Sequence, residues 1–168
     1  MAAQYPHSEF TGYDLCTDTI QKAQKQVQDN GLTNVHFQVK DLSDFDEHNH
    51  YDLITSFDAV HDQKAPEAFL ASIYRALKAD GIHLMQDIGG SAYLERNYDF
   101  PMAALLYTIS CTHCTPVSLG QDGAGLGTMW GRETALAMLQ KAGFKSVEQR
   151  VFEHDPMNIW FVSRKEID

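Results

Sequence analysis

Four carboxylates fall at the ends of short apolar runs. Asp14 closes Phe10-Thr11-Gly12-Tyr13, Asp41 follows Val35 to Lys40, Asp58 follows Tyr51 to Phe57, and Asp87 lies just after Ile82 to Met85. In open α/β sheets ligands bind outside the carboxyl ends of the strands, where a carboxylate can accept both hydroxyls of a ribose. One such Asp serves equally well as a turn former or helix cap. Four in succession along one edge are a stronger signal. His61, four residues after the Tyr51–Phe57 run and followed by Asp62, has the type and place of a general base, or of a pocket-lining residue. Cys111-Thr112-His113-Cys114 has the outline of a redox or zinc motif. A redox pair, however, opens a helix in a βαβ setting, and zinc needs further ligands at suitable spacing. His61-Asp62 and His154-Asp155 also lack a helical His-x-x-x-His or a third spaced ligand, so no metal is expected.

These residues need a frame, and the chain supplies one by alternating apolar runs with amphipathic stretches, the pattern of an α/β protein with a mostly parallel sheet. Strands are expected at Phe10–Asp14, Val35–Val39, Tyr51–Phe57 and Ile82–Met85. Helices are expected from a Thr17 cap to about Asn30, stopped by Gly31, and from Pro66 through Phe69, Leu70, Ile73 and Leu77 to a stop near Ala79-Asp80-Gly81. Residues 89–130 break the rhythm with a Tyr-rich stretch, a helix from Pro101 to about Ser110, and the glycine-rich run Gly120 to Gly131. Within that run, Gly123-Ala124-Gly125-Leu126-Gly127 spells a cofactor-loop string, but Pro116 makes the preceding segment a poor central strand. A lid or substrate loop is the better reading. A helix over Arg132–Ala142, stopped by Gly143, precedes two strands near Ser146–Glu153 and Asn158–Ser163, joined at His154-Asp155-Pro156 as an antiparallel hairpin. A single domain over 1–168 is the expectation.

Composition narrows the function classes. With 13 Lys and Arg against 23 Asp and Glu, the net charge is −10. That argues against nucleic acid, which needs a basic face. The longest apolar runs are strand-sized, too short to span a bilayer. Three cysteines, Cys16, Cys111 and Cys114, are too few for a disulfide framework. Met1–Phe10 has no apolar signal core, so a cytoplasmic location is expected.

Together these motifs resemble the class I S-adenosylmethionine-dependent methyltransferase fold from its second strand to its seventh. The resemblance implies that Asp14 binds the ribose and Leu15 borders the adenine, while Asp41 meets the adenine amino group and Leu42 packs on the ring. Phe57, Asp58 and His61 stand in the fourth-strand motif beneath the methionine part, and Arg75 to Gly81 match the helix end before the fifth strand. The closing hairpin corresponds to the antiparallel sixth and seventh strands of that fold. Phe57 to Asp62, His113-Cys114 and Gly123 to Gly131 are similar to a subgroup that carries a winged-helix domain ahead of the catalytic one. The implied cofactor is S-adenosyl-L-methionine and the implied partner a small-molecule acceptor, with His61 as base. Tyr107, His113, Met129 and Trp130 are the candidate pocket residues, with core packing the alternative for each.

In that fold a first strand and a Gly-x-Gly-x-Gly turn precede the second strand by about one helix. Here only Met1 to Glu9 stand before Phe10, resembling the tail of that helix. The expectation is therefore a methyltransferase sheet lacking its first strand and helix, its gap closed internally or by a homodimer partner. The alternative is a catalytically incompetent product that keeps only the adenosine half of the cofactor site.

Overall fold

A computed structural model describes residues 1–165. The chain divides into two compact units, Met1–Asp44 and Phe45–Asp168. In the first, strand β1 (Phe10–Asp14), helix α1 (Thr17–Asp29) and strand β2 (Val35–Val39) form a βαβ unit whose strands pair in parallel, Phe10 opposite Val35 and Asp14 opposite Val39. Ile20 buries the inner face of α1. Residues Met1 to Glu9 are a series of turns rather than the end of a helix. The Asn34 side-chain amide holds them, donating to the carbonyls of Ala2, Tyr5 and Ser8 at 2.9 to 3.2 Å. Backbone carbonyls that a helix would satisfy internally are thus taken by one side chain.

The second unit carries a four-stranded sheet in the order β3-β4-β6-β5. Strand β3 (Tyr51–Phe57) leads through helix α2 (Pro66–Ala76) to the parallel strand β4 (Leu77–Ile88). Strands β5 (Ser146–Phe152) and β6 (Asp155–Arg164) close the chain as the expected antiparallel hairpin, β6 lying antiparallel to β4. Leu70, Ile73 and Leu77 from α2 and the start of β4, Met85 from β4, Leu139 from helix α5 (Arg132–Ala142), Phe144, Ile159 and Phe161 are all but fully buried and form the core. Each fully buried side chain of this size stabilises the fold by roughly 1.5–3 kcal/mol.

Several elements differ from the sequence expectation, among them β6, which starts at Asp155 and so takes Asp155 and Pro156 out of the expected turn. Helix α2 ends at Ala76, so Lys78 to Gly81 lie within β4 instead of ending a helix. Leu77 already pairs with Tyr51, and the register then jumps to Leu53 opposite Ile82, so the intervening residues bulge. Residue Cys16, not Thr17, is the N-cap of α1. The helix expected over 101–110 continues further: α3 (Ala103–Ile109) runs through a π-helical turn (Ser110–Cys114) into α4 (Thr115–Leu119). Pro116 has no N–H to offer the turn before it, which removes one i→i−4 bond where the helix widens.

Candidate functional site

The parallel pair β3–β4 brings two of the strand-end acids together. Asp58 follows β3 with φ +47°, its N–H bonded to the Gln86 carbonyl of β4 at 3.1 Å. Asp87 is the penultimate residue of β4 and is 1% exposed. Between β3 and α2 the chain turns in over the buried Val60 and places His61 at 3% exposure. His61 Nδ1 lies 2.8 Å from Asp87 Oδ1. A carboxylate only accepts, so Nδ1 carries the proton and the neutral ring keeps its lone pair on Nε2. The same Asp87 oxygen accepts the Ile88 N–H at 2.8 Å and the Trp130 indole N–H at 3.0 Å. Asp87 Oδ2 is buried without a partner.

The electrostatics of the cluster favour an imidazole that takes up a proton. Burial by itself lowers the His61 pKa, but the hydrogen bond and charge of Asp87, with Asp62 and Asp58, outweigh it and hold the group above its ordinary value. Burial and the Asp87 charge push the Asp58 carboxyl up, against the Gln86 side chain that lowers it. On the far side of the ring, Nε2 is 3.5 Å from Asp62 Oδ1, an oxygen that is itself buried and unpartnered. Cys114, buried at the end of the π-helical turn, accepts the Thr128 hydroxyl at 2.9 Å on its sulfur.

The segment 89–130 positions Trp130. Gly131 follows it with φ +87°, and a Cβ there would collide with the Ala92 backbone, so glycine lets the chain pass at van der Waals distance. The Arg132 N–H bonds the Gly90 carbonyl at 2.9 Å. Glu133, in the first turn of α5, accepts the Ser91 hydroxyl at 2.8 Å and the Ala92 N–H at 2.9 Å. Burial raises the Glu133 pKa, and these donors more than reverse that, leaving it below its ordinary value. Asn97, 2% exposed, accepts the Ser91 N–H at 2.8 Å and donates to the Tyr107 hydroxyl oxygen at 2.9 Å.

Of the expected site residues, His61 and Trp130 meet on Asp87. Met129 is 9% exposed, and Tyr107 is tied to Asn97. His113 is exposed and forms no part of the cluster, while its neighbour Cys114 does. In the first unit, Asp14 Oδ1 accepts the Cys16 N–H at 2.7 Å. Asp41 Oδ1 accepts the Ser43 N–H at 2.9 Å and also the Ser43 hydroxyl. Both acids thus form turns as well as standing at strand ends. Leu15 is 57% exposed and Phe57 is 54% exposed, whereas Leu42 is half-buried. Two shallow hollows, one lined by Gln24, Val27 and Phe37 and the other by Ala2, Pro6 and Leu32, touch none of these residues. Asp87 was visible in sequence as a strand-end acid but not as the residue that holds His61, and the Cys111–Cys114 and His61-Asp62 motifs gave no sign that Asp62 and Cys114 lie together.

Comparison with known proteins shows what the chain is similar to. A family model described as a methyltransferase domain matches residues 1–151, across both units. No curated protein matches the sequence. Among solved structures, PigF with SAH superposes with a TM-score of 0.71 at 19% identity, over 98% of this chain and 45% of that one. An O-methyltransferase family protein from Burkholderia thailandensis gives 0.70 at 17% identity, over 99% and 46%. The trans-methyltransferase CalH complex with SAH gives 0.68 at 15% identity, over 94% and 43%. The chain therefore spans less than half the length of each of these three proteins, and at these identities they speak for the fold.

Proposed function

The chain belongs to the methyltransferase domain family, and on that premise we propose that it serves methyl transfer from S-adenosyl-L-methionine to a small-molecule acceptor, with His61 as general base. The observation that carries this is the buried His61–Asp87 pair, with Trp130 on the same carboxylate oxygen, at the carboxyl ends of parallel strands. Two of the solved relatives are described with SAH, the demethylated form of that cofactor.

The residues present suit the group. In the first unit, Asp14 is the proposed ribose ligand and Leu15 its apolar neighbour; Asp41 and Leu42 are proposed for the adenine. In the second unit, Phe57 and Asp58 are proposed for the methionine end. The exposed apolar side chains of Leu15 and Phe57, at 57% and 54%, suit stacking on a ligand. The bound cofactor supplies an already activated methyl group, so the protein's part is alignment, exclusion of water and removal of the acceptor proton.

His61 does the last of these. Its Nδ1–H donates to Asp87, which fixes the ring and leaves Nε2 to accept the proton of an acceptor hydroxyl. Asp87 then faces the imidazolium that forms, and it acts as a positioning residue. Segment 89–130 forms the lid and substrate insertion in this reading, with Tyr107, His113, Met129 and Trp130 as its pocket candidates. The absence of a basic surplus, at net charge −10, favours a small acceptor over nucleic acid.

The test is calorimetry with S-adenosylmethionine and S-adenosylhomocysteine, followed by transfer of a labelled methyl group to a panel of small phenols and amines. Micromolar binding and transfer that His61→Ala abolishes while leaving binding intact are expected. No heat at millimolar cofactor would sink the reading.

A further inference from the structure

With Nδ1–H directed at Asp87, His61 turns Nε2 toward a second carboxylate. Asp62 Oδ1 stands 3.5 Å away, buried and without a hydrogen-bond partner. Cys114 Sγ completes the group, and the three ligand atoms lie within 4.8 Å of one another. The sulfur receives a hydroxyl from Thr128, while Asp62 Oδ1 makes no close hydrogen bond and has the Cys114 thiol as its neighbour. Three ligand-type atoms gathered this closely repel one another unless protons or a cation sit between them, and a cation can replace those protons.

We propose that His61 Nε2, Asp62 Oδ1 and Cys114 Sγ form a binding site for a thiophilic divalent cation of the zinc class, which caps the proposed base. Imidazole, carboxylate and thiolate are the three ligand types that such a cation takes, with bonds of about 2.0–2.3 Å. A tetrahedron with bonds of about 2.1 Å has edges of about 3.4 Å, and the Nε2–Oδ1 separation of 3.5 Å fits that edge. The sulfur lies within 4.8 Å of both atoms and would move inward to close the third corner.

The outer contacts also suit a metal site. A metal-bound histidine typically donates its other ring N–H to a carboxylate, which fixes the tautomer and strengthens the ligand. Asp87 fills that place, and the Trp130 and Ile88 N–H groups hold it still. Three protein ligands leave a fourth position open to water or to a small ligand. A thiol must lose its proton to ligate, so metal uptake would release that proton to solvent.

The ligands escape a motif search because they come from different elements. Two follow β3 and the third ends the π-helical turn more than fifty positions later. The binding claim stands apart from methyl transfer; its consequence, that the cation occupies the nitrogen needed for proton removal and so inhibits, rests on the proposed base.

The experiment uses the full chain stripped with a chelator and then titrated with Zn²⁺ against a chromophoric competitor, alongside Cys114→Ser and the exposed-cysteine control Cys111→Ser. One equivalent should bind, Cys114→Ser should weaken it at least about tenfold, and Cys111→Ser should match the parent. Substitution with Co²⁺ in the unmutated protein should give a thiolate charge-transfer band, which guards against a variant that fails to fold. No stoichiometric uptake, or Co²⁺ binding without that band, overturns the site. Zn²⁺ uptake in a protein that never transfers a methyl group would defeat the base reading and leave the metal site standing. Uptake that leaves an active enzyme uninhibited would overturn the capping role.

Discussion

Burial of His83 gives the fold an acid sensitivity whose size can be worked out. The side chain is 0% exposed in mid-β4, with Nε2 3.0 Å from Ser56 Oγ, Nδ1 unpartnered and the ring stacked at 5.8 Å on Phe144. Among the described residues no carboxylate pairs with it, and burial lowers its pKa from 6.5 to about 3. The unfolded chain thus takes up the proton first, near pH 6.5, and the folded chain resists it down to about pH 3. The stabilising contribution is complete above pH 6.5 and is lost as the pH falls through that window. Between pH 7 and pH 5 the loss is about 2 kcal/mol, at about 1.36 kcal/mol per unit of pKa difference. His83→Gln keeps a polar group near Ser56 and cannot titrate. Urea unfolding followed by circular dichroism at both pH values should show the parent losing about 2 kcal/mol more than the variant. Carboxylates such as Asp58 titrate in both proteins and cancel in the difference. Equal losses would refute the claim that His83 is held neutral by burial.

Other perturbations bear on the site and its support. Asp87→Asn keeps an acceptor for His61 but removes the charge; kcat for methyl transfer should fall by about 10²–10⁴-fold while SAH affinity by calorimetry changes little, and an equal fall in both would mean the residue is merely structural. Trp130→Phe removes one of three donors to the same oxygen and should lower kcat by about tenfold, consistent with a single hydrogen bond to a charged group, checked in the same assay. Gly131→Ala must place a Cβ on the Ala92 backbone at φ +87°; thermal unfolding should show a loss of more than about 1 kcal/mol. Leu70→Ala, at 0% exposure in α2, should cost about 2–5 kcal/mol in urea unfolding.

Much of the frame was legible because its signals are local. Alternating residues mark β2, Pro66 marks the start of α2, and Gly31 and Gly143 mark the ends of α1 and α5. These features act within a few positions along the chain, and the structure places them accordingly. Boundaries failed where a non-local partner intervened. Leu77 leaves the helix because Tyr51 offers it a strand partner. The N-terminal turns are held by Asn34, a residue about 30 positions away. The helix past Ser110 survives Pro116 by widening, which no propensity scale records.

The site divides along the same line. His61 was readable from its place four residues after a strand, but what orients it comes from afar: Asp87 is 26 residues away, and Trp130 reaches that carboxylate across 43. Sequence patterns report residues spaced along one element, whereas this cluster is assembled by a parallel strand pair, a bend at φ +47° and a glycine that lets two backbones touch. The strand-end acids separate for the same reason. Asp14 and Asp41 spend an oxygen on the turn that follows them, as an Asp at a strand end commonly does. Asp87 spends its Oδ1 on the Ile88 N–H as well, but burial at 1% exposure leaves the imidazole and the indole as its other partners. Burial, which no spacing rule encodes, is what turns one member of a row of similar acids into the residue on which the proposed base depends.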